Sequence, residues 1–324
     1  MARPHLTPAP APIRRFSEVF ARLWPERTGR LGLAVSGGPD STALLLIAAA
    51  ALPGEVDAAS VDHGLRGSSA EECETVACLC AELGVPHEVL RVTVAAGNLQ
   101  AQARRARYQA LAGWIEERGL AALATAHHAD DQAETLLLRL NRASGVAGLA
   151  GTRARGLVPG TSIPLLRPLL GWRRTELAAI VEAAGIAAAQ DPANADDRFD
   201  RARMRKAIAA SDWLDVAAIA ETAGHLADAD AAIDWAARRE WHEQVREEGL
   251  GITYRPQAPR AVALRVIARI VARLDGEEAR GGAIARLFDA LAAGQPASVG
   301  ALVVRPGHSG WSFAKSPRRA SKSG

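Results

Sequence analysis

LGLAVSGGPDSTALLL, residues 31–46, is an apolar run, then Ser36-Gly37-Gly38-Pro39-Asp40-Ser41, then a second apolar run. Residues 31–35 have the pattern of a short buried strand, and a helix is predicted from Thr42 onward. The two glycines between them allow a tight turn and let backbone N–H groups come close to a ligand. The start of the helix adds its own unpaired N–H groups and the positive end of its dipole, which together favour an anion. Ser36 and Ser41 supply hydroxyl donors, and Asp40 supplies a carboxylate able to hold Mg²⁺ beside a polyphosphate. The stretch is a phosphate cradle without a cationic side chain. No G-x-x-x-x-G-K-[ST] occurs anywhere in the chain, and the loop is not G-x-G-x-x-G. A plain strand-to-helix turn would account for two glycines, but the whole hexapeptide in this setting favours phosphate binding.

Around this stretch, strands and helices alternate. Residues 56–61 predict a second strand, residues 71–83 a helix and residues 88–92 a third strand. Residues 99–118 predict a long helix stopped at Gly119, residues 120–126 a fourth strand, and residues 130–142 another helix. The alternation predicts an α/β fold with a doubly wound parallel sheet, in which ligands sit at the carboxyl ends of the strands. Residues 145–160 read as irregular, 163–170 as an edge strand or extended segment, and 173–184 as a helix. From Trp213 the texture becomes Ala-rich and helical, with helices expected near residues 216–248, 261–275 and 283–293 and a terminal hairpin over 299–304 and 310–314. The expected organisation is a Pro-rich flexible leader and helix (1–28), an ATP-binding catalytic domain (29–211), a smaller mostly helical domain (212–315) and a basic flexible tail (316–324).

The totals narrow the class. The chain has 324 residues, enough for about two domains. Its 48% hydrophobic and 23% charged content is that of an ordinary soluble protein, and its apolar runs are too short for a bilayer span. The N-terminus lacks an apolar signal core, so a cytoplasmic protein with no membrane partner is expected. A net charge of +3 is mild, so a nucleic-acid partner has to be argued from local patches. Cys73, Cys78 and Cys80 form an odd set without C-x-x-C, which speaks against a disulfide framework, zinc ribbon or iron–sulfur site.

Four further clusters carry chemistry. VDHGLR, residues 61–66, puts Asp62, His63 and Arg66 at the end of the second strand. In AQARRARY, residues 101–108, Arg104 and Arg107 share a helix face and can point at one anion. TAHHADDQAET, residues 125–135, places His127 and His128 before a helix whose Asp131 and Glu134 face one way. QDPANADDRFDRARMR, residues 190–205, supplies Asp191, Asn194 and the i,i+4 pair Arg201 and Arg205. Taken singly, each has a plainer reading as a helix-dipole partner, solvated basic face or Asp-Pro turn. Their expected convergence on the glycine loop is what raises them above it.

The hexapeptide resembles the S-G-G-x-D-S loop of the PP-loop ATP pyrophosphatases, which cleave ATP between its α and β phosphates and adenylate a substrate. The ordered set of SGGPDS, VDHGLR, ARRARY, TAHHADDQAET, GLAG (148–151), RPLL (167–170) and DPAN followed by R-x-x-x-R is similar to the bacterial tRNA(Ile)-lysidine synthases, over roughly residues 32–205. SVGALVV (298–304) and GWSF (310–313) are a weaker echo, and the chain resembles the shorter members of that family. Asn141-Arg142-Ala143-Ser144-Gly145 stands where the family usually shows R-G-x-G, and Ala202 where Asn or His often follows the first clamp arginine.

The resemblance implies ATP-dependent adenylation of the wobble cytidine in a tRNA(Ile) with a CAU anticodon, then attack by L-lysine with release of AMP. It implies that Ser36, Gly37, Gly38, Pro39, Asp40 and Ser41, with Asp62 and His63, bind ATP, and that Asp40 binds Mg²⁺. Asp131 and Glu134 have two implied jobs: holding a metal or the lysine ammonium, and accepting a proton. Arg104, Arg107 and His127 would face phosphate or tRNA, while Asn194, Arg201 and Arg205 would hold the α-phosphate or lysine. The mostly helical domain, residues 212–315, would contact the tRNA. The competing readings are a thiolase-like adenylating enzyme, a non-catalytic adenine-nucleotide module, and a two-metal phosphoesterase built on Asp62, His63, His127, His128, Asp130 and Asp131.

Overall fold

Strand β1 (Leu31–Ala34) lies inside the sheet, and Leu31 and Leu33 are fully buried in the computed structural model, which describes residues 4–64, 68–93, 99–189, 200–249, 251–276 and 279–316. It is preceded by α1 (Pro10–Leu23) and followed by α2 (Pro39–Ala51), β2 (Val56–Asp62), α3 (Ser68–Leu83), β3 (His87–Arg91), α4 (Leu99–Glu117), β4 (Ala122–Ala124) and α5 (Ala129–Leu140). Then come α6 (Val146–Leu149), β5 (Arg155–Leu157), β6 (Pro164–Leu166), α7 (Arg174–Ala183) and α8 (Asp200–Ala209). The strand order is β3-β2-β1-β4-β6-β5, parallel except for β5 against β6. The order reverses between β1 and β4, so the loops after these two strands open into one crevice.

Alternation along the strands feeds two cores. Leu31 and Leu33 of β1, Ala122 and Ala124 of β4, and Leu166 of β6 join Phe16, Leu44, Leu45, Val76 and Leu177 from the helices on one face. Leu123 and Leu165 point the other way, onto Tyr108, Leu111, Trp114 and Ile115 of α4. Residues 41–48 of α2 are all buried, as an all-round apolar helix requires. Gly32 lets α4 close on β1, since a Cβ there would run into Ile115 and Trp114.

The structure corrects several sequence expectations. The helix expected near residues 13–24 packs its Phe16, Phe20 and Trp24 into the main core, while Leu6, in the part read as a flexible leader, packs with Leu46 and Ala184. Pro10, set for a first-turn φ, starts α1 instead of keeping the segment loose. Helix α2 begins at Pro39 rather than Thr42 for the same reason, which puts Asp40 in its first turn. The stretch read as irregular contains α6 and β5, and β5 rather than β6 is the sheet edge. Pro164 is tolerated inside the sheet because it is the first residue of its strand.

By packing, the chain divides into residues 1–144 with 148–224, and residues 145–147 with 225–324. The division falls within α9 (Val216–Gln244), later than residue 211. The reason is local: Val216, Ile219 and Ala220 of that helix pack with Ala129 and Ala133 of α5. The second unit is mostly helical, as expected, and adds a small antiparallel sheet that the sequence reading reduced to a terminal hairpin. After α9 come β7 (Val245–Glu248), β8 (Gly251–Tyr254), α10 (Arg260–Asp275), α11 (Gly281–Ala292), β9 (Ala297–Val299), β10 (Leu302–Gly307) and β11 (Gly310–Lys315). Its five strands form an antiparallel sheet, order β7-β8-β11-β10-β9, around a core holding Tyr254, Val266, Ile270, Leu287, Leu302 and Phe313. Among the described residues no helix is long and apolar enough to cross a membrane.

Candidate active site

The loop after β1 is held by its own hydrogen bonds. Gly37 has φ +82°, a left-handed conformation that glycine adopts without strain. Ser41 Oγ accepts from the Ser36 N–H at 3.1 Å and donates to the Gly38 carbonyl at 3.0 Å, so this hydroxyl shapes the loop. Ser36 is the exposed hydroxyl and lies 3.1 Å from Ser41 Oγ. The Gly37 carbonyl accepts from the Ala189 N–H at 3.0 Å, which ties the loop to the segment after α7. Gly38 is the N-cap of α2 and brings no capping side chain, so the first N–H groups of that helix are left for another acceptor.

The loop after β4 reaches the same place. His128, only 1% exposed, caps α5 and is surrounded by carboxylates. Its Nε2 lies 3.3 Å from Asp40 Oδ2 and 3.6 Å from Asp131 Oδ2, and its Nδ1 lies 3.5 Å from Asp130 Oδ2. Burial works against charge on this ring, but the acceptors Asp130 and Asp40 and the charges of Asp131 and Asp40 prevail, raising its pKa to about 9. Burial likewise disfavours charge on Asp130 and Asp131. The adjacent imidazolium and arginines outweigh it, and both carboxyls sit below the usual range. His128 thus links the first turn of α2 to the first turn of α5.

Helix α8 completes the cluster. Glu134 is 1% exposed, and both its oxygens are taken: Arg201 Nε donates to Oε2 at 2.9 Å and Arg205 Nε to Oε1 at 2.8 Å. Arg174 adds a third guanidinium at 3.6 Å. Arg201 also donates to Asp131 Oδ1 at 2.9 Å, and the His128 N–H to Asp131 Oδ2 at 3.1 Å. Burial lowers the pKa of Arg205, but the hydrogen bond to Glu134 and the charges of Glu134, Asp131 and Asp40 raise it overall.

A second ring of groups borders this one. His127, bonded to Thr125 Oγ1 at 2.9 Å, is pushed down to about 4 by burial and by Arg167, Arg104 and Arg201, against the opposing charge of Asp131. It is a neutral imidazole at neutral pH. Arg104 and Arg107 both lie over the Tyr108 ring, at 5.0 and 5.9 Å. Burial and Arg107 lower the pKa of His63, and the charge of Asp62 offsets them only in part. Asp62 turns the chain by accepting the Gly64 N–H at 2.9 Å.

Among the expected site residues, the structure therefore gathers Asp40, Asp131, Glu134, Arg201 and Arg205, with His127 and Arg104 beside them. Asp62, His63 and Arg107 form a neighbouring group at the end of β2. Asn194, with Asp191 and Arg66, lies outside the described residues. Arg167, Arg173 and Arg174 are additions to the expected set, and His128 enters that set only through the two-metal reading. His128 has no sequence signal beyond its place in TAHHADD, whereas Arg167 in RPLL and Arg173-Arg174 at a helix start were visible as isolated cations. Arg167 is 8% exposed and donates to the Arg153 carbonyl at 2.7 Å.

Asp40 Oδ1 is buried with no hydrogen-bond partner among the described residues, an acceptor suited to a hard cation. The described residues contain no group of three or more His, Cys, Asp or Glu able to hold a metal unaided. A Mg²⁺ ion that takes most of its ligands from phosphates and water fits this set, while a two-metal phosphoesterase does not. Both nitrogens of His128 face carboxylates, which makes it an acid-cluster partner rather than a ligand. Cys73 and Cys80 are buried, burial pushes the Cys80 thiol up to about 12, and Cys78 is exposed on the opposite face of α3. The three do not converge.

Residues 10–211 match the PP-loop domain family. A tRNA(Ile)-lysidine synthase of Novosphingobium aromaticivorans is 46% identical, with 91% of each chain covered. The tRNA(Ile)-lysidine synthase of Zymomonas mobilis is 40% identical, with 95% of each covered. Among solved structures, a U34-tRNA thiolase from Methanococcus maripaludis superposes with a TM-score of 0.56 at 14% identity, covering 67% of this chain and 77% of that one, a likeness of fold.

Proposed function

The chain belongs to the tRNA(Ile)-lysidine synthase family, ATP-dependent ligases with a PP-loop domain that form a carbon–nitrogen bond, and on that footing we propose how its residues share the work. The substrates in this reading are ATP, L-lysine and a tRNA(Ile) with a CAU anticodon, whose wobble cytidine becomes lysidine. The carbonyl oxygen of cytosine is a poor leaving group, so ATP first converts it to an adenylate, from which AMP departs readily. The base has to be splayed out of the anticodon stack to reach the crevice.

One observation carries the reading: His128 ties Asp40 at the glycine loop to Asp131, and Glu134 beside it gathers Arg201 and Arg205. An adenine-nucleotide module without chemistry has no need of those acids and guanidiniums beyond the cradle. The loop N–H groups and Ser36 take the pyrophosphate side and stabilise the charge that grows on it. Mg²⁺, held through Asp40, would neutralise phosphate charge there. Glu134 is spent on its arginines and so aims Arg201 and Arg205 at the α-phosphate rather than accepting a proton. Asp131 stays ionised and partly open, which suits the ammonium of lysine. Asp62, His63, Arg104, Arg107 and His127 line the approach of nucleotide and RNA. Asn194, in the stretch just before α8, is assigned to the same substrates on the family resemblance alone. An iron–sulfur thiolase reading finds no converging cysteines.

The test is lysine incorporation. Wild type, given ATP, labelled lysine and CAU-anticodon tRNA, labels the RNA, and Asp131→Asn raises the KM for lysine at least about tenfold, the loss of one charge-assisted contact. An unchanged lysine KM would remove Asp131 from that role. ATP bound but no label in RNA under any condition would favour the nucleotide-binding module.

A further inference from the structure

The second unit carries a surface that the chemistry above leaves unused. Trp235 on α9 is 62% exposed. Arg238 follows it by three positions and Trp241 follows Arg238 by three, so the three side chains form one diagonal strip on the helix. Trp241 is partly buried against the core of this unit, and the exposed Arg269 of α10 lies over its ring at 5.7 Å. The strip alternates indole and guanidinium.

Charge around it is uneven. Asp230 and Asp234 pair with Arg265, Glu243 with Arg239 at 2.9 Å, and Glu247 with Arg273 at 2.8 Å. Arg238 and Arg269 have no ion pair among the described residues. Asp234, one turn before Arg238 on the same face, is taken by Arg265, and the nearest exposed acid beyond it along that face is Asp228, two turns before Trp235. Trp and Arg are enriched at protein interfaces too, but a protein partner would have to bring carboxylates to Arg238 and Arg269. An exposed aromatic among unneutralised guanidiniums instead suits a polyanion with flat faces.

We propose that this strip binds RNA: Trp235 stacks on an unpaired or terminal base, and Arg238 and Arg269 contact the flanking phosphates. The proposal rests on the reading above that the substrate is a tRNA, and it names where the second unit holds it.

Trp235→Ala, Trp235→Phe and Arg238→Gln in the full chain test it, with tRNA binding measured directly by fluorescence anisotropy across a salt series alongside the KM values for tRNA, ATP and lysine. Trp235→Ala weakens tRNA binding about tenfold, the worth of one stacked base, and Trp235→Phe recovers most of it. Arg238→Gln lowers the slope of log affinity against log salt by about one. The KM values for ATP and lysine do not move. Wild-type affinity in a folded Trp235→Ala chain overturns the proposal, as does altered self-association in sedimentation with tRNA affinity unchanged. If wild type binds tRNA, loses it with Trp235→Ala and yet never incorporates lysine, the strip stands and the assigned reaction falls. Lysine incorporation with indifferent variants gives the converse.

Discussion

His127 and His128 are adjacent in sequence and lie on opposite sides of the ordinary histidine range. The first is buried among Arg167, Arg104 and Arg201 with Asp131 as its one opposing charge, and the second is enclosed by Asp130, Asp40 and Asp131. A pair of histidines before a helix is legible in the sequence, but the company each ring keeps is decided by α2, α4 and α8, far away along the chain. The consequence for His127 is measurable. Its folded pKa of about 4 lies below the unfolded 6.5, so between these values the unfolded chain binds a proton that the folded chain does not. Its contribution to stability is complete above pH 6.5 and falls as pH drops toward 4, by about 2 kcal/mol between pH 7 and pH 5. Urea denaturation at the two pH values should show this loss in wild type and a smaller one in His127→Asn; equal losses would contradict the account. The same limit governed Arg201 and Arg205. Their i,i+4 spacing reads as an anion clamp, and the anions they hold in this structure are Glu134 and Asp131.

At the scale of elements, legibility followed the strength of local pattern. The run LGLAV and the glycine hexapeptide are unambiguous, and β1, its loop and α2 follow them with an offset of three residues at Pro39. The hairpin of β7 and β8 was missed because Val245-Arg246-Glu247-Glu248 continues a helical composition. Pairing with the β-branched Ile252-Thr253 overrides that weak preference. A departure from the family pattern also has a structural counterpart. Ala143, within the stretch where the family usually shows R-G-x-G, is the non-glycine residue with positive φ among those described, at +49°. An alanine there costs about 1–2 kcal/mol against its preferred conformations, and glycine avoids that cost. Ala143→Gly should therefore raise the unfolding free energy by a net ~0.5–1 kcal/mol, read as a higher denaturation midpoint, after the larger entropy of an unfolded glycine is deducted. A lower midpoint would mean that the left-handed turn after α5 carries no strain.

For the whole molecule, sheet order explains why widely separated motifs meet. The reversal between β1 and β4 opens the crevice, the loops after those strands supply Asp40 and Asp131, and α8 packs on α5 to bring in Arg201 and Arg205. That convergence was readable as an expectation from strand–helix alternation. The end of the first unit was not, because the opening turns of α9 resemble the rest of that helix and only packing on Ala129 and Ala133 assigns them. In the reaction proposed for it, this crevice uses ATP to activate a base in RNA before lysine arrives. ATP labelled at its α-phosphate, incubated with enzyme and CAU-anticodon tRNA in the absence of lysine, tests that claim most directly. The account predicts label on the tRNA, discharged as AMP when lysine is added, and none with Asp40→Ala. Label that never leaves ATP, or that appears as ADP irrespective of tRNA, would contradict it.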